Sequence, residues 1–166
     1  MLPLNKKGTV ACSPYPLHHF IMSTKTNPKL VPVASQQRGL YNLTQDLLHT
    51  FLPNAEYNKV FFVNDISEQL KLGTDQQMVA SVLAGMLSAV IRDANDSFIR
   101  VSAKVYGNVV LVHVKKTGQL NISAIEQEVN KMQPMVEKML GSVSVTSEQI
   151  NLTTVTFGFP NLPLLD

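Results

Sequence analysis

The chain has a single cysteine, Cys12, among its 166 residues. One cysteine excludes an internal disulfide framework and fits a reducing compartment. Charge is sparse as well: 16% of the residues are charged and the formal net charge is +2. The basic residues are scattered rather than gathered into a run or face, so nothing argues for nucleic acid as a partner. No apolar stretch approaches the roughly 18 residues that a membrane-spanning helix needs, so no membrane insertion is expected. Internal repeats and low-complexity tracts are missing too. What remains is 45% apolar, ordinary for a globular domain and enough for one core.

The N-terminal stretch is organised differently from the rest. Residues 1–37 carry Pro3, Pro14, Pro16, Pro28 and Pro32 with little periodicity, the composition of an arm rather than a packed element. "KKGTVAC" has small residues before a cysteine, as lipoprotein cleavage sites do, but no apolar segment precedes it, which argues against a signal peptide. Translation starting at Met22 would turn residues 1–21 into an upstream extension. His18 and His19 are adjacent, yet no acidic or cysteine ligand lies near them, so they read as solvent-exposed histidines.

From residue 38 to 166 the pattern is that of a domain. "LYNLTQDLLHTFL" spaces Leu40, Leu43, Leu47, Leu48 and Phe51 as a helix that Pro53 should stop. "KVFFVND" at 59–65 is a short strand. Thr74 and Gln77 form a capping box that opens a long helix over 75–94. Strands at 98–105 and 109–115 flank a turn at Gly107 and Asn108. "SAIEQEVNKMQPMVEKML" is helical, with Ser123 as N-cap, a kink or break at Pro134 and Gly141 as a C-cap. Its apolar stripe, Ile125, Val129, Met132, Val136 and Met139, predicts a packed helix. "SVSVTSEQINLTTVTFGFP" closes the chain as a second hairpin. Helices among hairpin-joined strands predict an α/β fold, a two-layer sandwich: one mixed, mostly antiparallel sheet with helices on one face.

This order resembles the ATP-binding domain of sensor histidine kinases, the GHKL or Bergerat fold shared with gyrase and MutL, over about residues 40–160. "TDQQMVASVLAGMLSAVIRDA" resembles the family's N-box helix, usually D-x-x-x-L-x-x-V-L-x-N-L-L-x-N-A-I. "VVLVHVKKTG" resembles the strand into the first glycine box, and "GSVSVTSEQINLTTVTFGFP" the closing hairpin. The framework matches while the ligand groups differ. Gly85 and Ala89 stand at the two asparagine positions, the second of which the family uses for Mg²⁺. Alanine offers no oxygen to a hard cation. Lys116 stands where an aspartate would accept the adenine amino group, and a lysine only donates. Gly118 matches the first glycine of that box, Leu120 the second. Between Lys131 and Gly141 the sequence reads as helix, where the family has a mobile lid and a glycine-rich phosphate loop.

The resemblance therefore implies a stand-alone, degenerate histidine-kinase-type ATPase domain in a bacterial cytoplasm. It would bind a protein partner in two-component signalling without turning over ATP, with no catalytic residues, metal or cofactor. Gly85, Ala89, Arg92, Lys116 and Gly118 would line the remnant pocket, filled by methionines such as Met86, Met132, Met135 and Met139 or left open to a peptide. The alternative is an ATP-binding domain or subunit of a sensor kinase with an altered pocket, taking ATP and magnesium. A homodimer is compatible with either. Other chemistry is thin: His113 alternates away from Val112 and Val114 toward solvent without a nucleophile beside it. Asp93, Asn95 and Asp96 mark a turn at the end of the long helix.

Overall fold

A computed structural model describes residues 38–118, 121–149 and 151–162. All of them lie in the second of the two units into which the chain divides, Ser35–Asp166. The arm at 1–37, with His18, His19 and Met22, lies outside the described residues, as does Leu120.

The elements run α1 (Leu40–Tyr57), β1 (Val60–Asp65), α2 (Gln76–Ile91), β2 (Ser97–Tyr106), β3 (Val109–Thr117), α3 (Ile122–Lys138), β4 (Ser142–Gln149) and β5 (Leu152–Pro160). The strands form one sheet in the order β1-β2-β3-β5-β4. β1 and β2 are parallel, because α2 carries the chain between them, and every other pair is antiparallel. This is the expected two-layer α/β sandwich with a mixed, mostly antiparallel sheet.

Alternation assigns the faces. On β3, Val110, Val112, Val114 and Lys116 are buried, and they stand beside Phe159, Phe157, Val155 and Thr153 of β5 in the ladder. α2 supplies Val79, Val82, Leu83, Met86, Leu87 and Val90 to the same core, and α3 adds Ile125, Val129 and Val136. The opposite sheet face meets water through Phe98, Arg100, Lys115 and Thr117. Burying apolar side chains on one face alone is what pins the register, since a one-residue slip would turn Val112 and Phe157 outward.

Several local expectations need correction. α1 runs on through Pro53 to Tyr57. The proline forfeits one backbone bond, while Ala55, 1% exposed, anchors the following turn in the core. The cap of α2 is Asp75, not Thr74: its carboxylate accepts from Gln77 N at 2.9 Å and Met78 N at 3.1 Å. An anionic cap there also complements the positive end of the helix. α3 is capped two residues earlier than predicted, by Asn121 in place of Ser123, with the Asn121 side chain accepting from Ala124 N at 3.2 Å. It passes through Pro134 unbroken, held by Val129 before and Val136 after the proline. Its end is a Schellman closure: Gly141 N donates to Val136 O at 3.0 Å and Leu140 N to Glu137 O at 2.9 Å. The residue in the left-handed region there is Leu140 at φ 54, not Gly141. Gly107 does play its expected part, at φ 58 in a two-residue hairpin turn.

Candidate functional site

The surface of interest is where α2, α3 and the end of β3 meet. Gly85 lies in the middle of α2, where glycine costs about 1 kcal/mol relative to alanine. The structure gives the compensating contact. A Cβ added at Gly85 would overlap the Met132 Sδ and come within 3.2 Å of its Cγ. Met132 of α3 thus lies across the bare backbone of α2, and its flexible thioether fills the space a side chain would take. Ala89, one turn on, is 4% exposed and belongs to the core.

Arg92 caps this contact from the solvent side. It follows the last turn of α2, and its Nη1 donates to Glu128 Oε1 at 2.9 Å; Lys131 Nζ donates to the same oxygen at 2.8 Å. Glu128 precedes Met132 by one helical turn, so the ion pairs lie next to the methionine along the same face of α3. The two donors, Arg92 first, hold the Glu128 carboxyl down at about 2, and Glu128 in turn raises the Arg92 guanidinium.

Lys116 takes the inward course its ladder position dictates. It is 1% exposed and is among the largest fully buried side chains of the domain. Its Nζ donates to the Asp93 main-chain oxygen at 3.2 Å, tying β3 to the turn that follows α2. Burial lowers its pKa, an effect the nearby Asp93 charge partly offsets. Around it the inner face is locally polar. Thr153, its ladder partner, is 4% exposed, and Ser97, 3% exposed, leaves its Oγ without a partner. Gly118 sits at φ 102 and donates its N–H to Asn151 O at 2.9 Å; a Cβ there would touch nothing within 4 Å. Its glycine answers a backbone need rather than a ligand's approach.

The five residues expected to line a remnant pocket are thus distributed over four settings. Gly85 and Ala89 are packed between helices, Arg92 is paired at the rim, and Lys116 is buried under the turn after α2. Gly118 closes a loop. Glu128 and the Asp93 carbonyl were not legible beforehand. The spacing of Glu128 to Met132 was available as a signal, whereas the Asp93 carbonyl leaves no trace in side-chain chemistry. Asp96 occupies a left-handed turn position at φ 44, as turn residues do. His113 is half-buried, with its Nδ1 3.1 Å from Thr156 Oγ1, and burial followed by the charges of Lys115 and Lys104 lowers its pKa.

No protein-family model matches the sequence, and a search of curated proteins by sequence finds no match. Solved structures do match by shape. The nucleotide-free catalytic domain of histidine kinase ThkA superposes with a TM-score of 0.66 at 15% identity, covering 75% of this chain and 94% of that one. The Acinetobacter baumannii histidine kinase AdeS gives 0.64 at 11% identity, over 74% of this chain and 65% of that one. A histidine kinase from Burkholderia phymatum gives 0.62 at 10% identity, over 75% and 69%. The chain has the fold of histidine-kinase catalytic domains. It spans about two thirds of the length of AdeS and nearly all of the isolated ThkA domain. Among the described residues no helix is long and apolar enough to cross a membrane.

Proposed function

We propose that the domain is a degenerate histidine-kinase-type module that works by binding a protein partner in bacterial two-component signalling, without ATP turnover. The observation that carries this reading is the fate of the nucleotide-facing positions. The residues present do not fit ATP and Mg²⁺. Ala89 has no oxygen for the metal, and Gly85 is covered by Met132. The Lys116 ammonium, a donor only, is committed to the Asp93 carbonyl. Each lost bond to a charged or buried group removes about 1.5–3 kcal/mol of affinity, so losing several abolishes binding. A protein partner is in keeping with the shape-related kinase ThkA, whose structure in complex with the response regulator TrrA is also similar, at a TM-score of 0.63. A cytoplasmic location follows from this role.

Calorimetry of the full chain with millimolar ATP–Mg²⁺ tests the reading, with no heat expected beyond dilution. A dissociation constant below about 100 µM would overturn it, as would tight ATP binding by the Ala89→Asn, Lys116→Asp double variant; either would favour a sensor-kinase subunit with an altered pocket.

A further inference from the structure

The two edges of the sheet are guarded unequally. β4 presents Ser142, Ser144, Thr146 and Ser147 to water and carries a register irregularity between Ser147 and Gln149. Polar side chains and bulges are ways of discouraging edge-to-edge pairing. β1 has neither. It is the run "VFFVND", without proline or bulge, and among the described residues it pairs only with β2. Phe61 is 61% exposed and stacks on Phe98, itself 59% exposed, with ring centroids 5.4 Å apart. Beside the free edge runs a groove of about 620 Å³, lined by α1 through Gln45, His49 and Leu52 and by β1 through Phe61 and Asn64. Among the described residues the buried Oδ1 of Asn64 finds no partner there.

We propose that β1 is a homodimerisation edge, occupied by β1 of a second copy running antiparallel about a two-fold axis at Phe62. A free strand edge offers a row of backbone donors and acceptors, which selects an extended strand as occupant. The sequence of β1 selects its own copy. Pairing Phe62 with Phe62 of the second copy sets Phe61 against Val63, an apolar cross-strand pair made twice. The same two-fold brings Lys59, in the left-handed turn that leads into β1, to the end of the strand that carries Asp65, again twice, so the charges that flank the apolar run are self-complementary. An in-register parallel arrangement would instead stack like charges. At present Lys59 and Asp65 make only long, exposed pairs, 3.9 Å to Asp96 and 3.9 Å to Arg100 respectively, which leaves both free for the partner. The result is a continuous ten-stranded sheet.

Light scattering on the full chain at micromolar to hundred-micromolar concentration tests this. The expected mass is about twice the 18.3 kDa of one chain. Lys59→Asp or Asp65→Lys alone, each acting twice across the axis, should raise the dissociation constant about tenfold, and the double variant should restore the dimer. Phe62→Cys in a Cys12→Ser background should form a disulfide-linked dimer on oxidation, whereas Ser144→Cys on β4 should not. A wild-type chain that is monomeric throughout the range overturns the proposal. So does a double variant no better than the single ones, or cross-linking through residue 144 in place of 62.

Discussion

Replacing Lys116 by methionine should stabilise the domain. The side chain is 1% exposed, and its ammonium has one partner, the Asp93 carbonyl at 3.2 Å. An ammonium removed from water costs several kcal/mol, and one charge-assisted bond returns about 1.5–3 kcal/mol of it. Methionine keeps the unbranched stem and its packing against the strands while shedding the charge. The Asp93 carbonyl lies in a solvent-exposed turn, where water can replace the lost donor. A net gain of about 1–2 kcal/mol follows, which for a domain of this size raises Tm by about 2–8 °C at neutral pH. The gain should shrink as the pH rises. Burial holds the folded-state pKa below its ordinary value of 10.5. Between those two values the unfolded chain carries the extra proton, so wild-type stability climbs with pH through that window and the variant's does not. Calorimetric melts at pH 7 and pH 10 measure both effects. A variant that melts lower than wild type at pH 7, with a difference insensitive to pH, would refute the reasoning.

Three further outcomes follow from the site and the helix ends. Gly85→Ala should destabilise by about 1 kcal/mol, because the added methyl displaces Met132. In a Met132→Ala background the same substitution should stabilise by about 1 kcal/mol, leaving only the helix-propensity gain; denaturant melts of the four proteins give the sign. Leu140→Gly should stabilise by about 1 kcal/mol in the same assay, since a left-handed leucine is strained and this one, 86% exposed, buries almost nothing. Glu128→Gln should lower Tm at neutral pH. Because the folded-state value is depressed, to about 2 from 4.5, the wild-type advantage should hold above pH 4.5 and fade as the pH falls toward 2.

The order of elements and the buried face of each were legible in the residues alone, because those depend on periodicities carried within single segments. The apolar stripe from Ile125 to Met139 marked α3 where a mobile lid would otherwise be expected, and alternation placed Val110, Val112 and Val114 together. Residue type alone also marks Gly85, Ala89 and Lys116 as side chains that offer no acceptor oxygen to a hydrogen-bond donor or a hard cation. Helix ends were less legible. Asp75 and Thr74 are both good caps, and Pro53 and Pro134 are both plausible stops, until Ala55 and Val136 show which turns the core holds in place. The contacts made at Gly85, Ala89 and Lys116 were not legible in the residues. That Met132 covers Gly85, that Arg92 bonds Glu128, and that Lys116 reaches a main-chain oxygen of the turn after α2 are meetings between segments tens of residues apart. Such meetings are fixed by the packing of helices on the sheet, and a main-chain acceptor such as the Asp93 carbonyl is present at every residue, so no side-chain pattern could have singled it out.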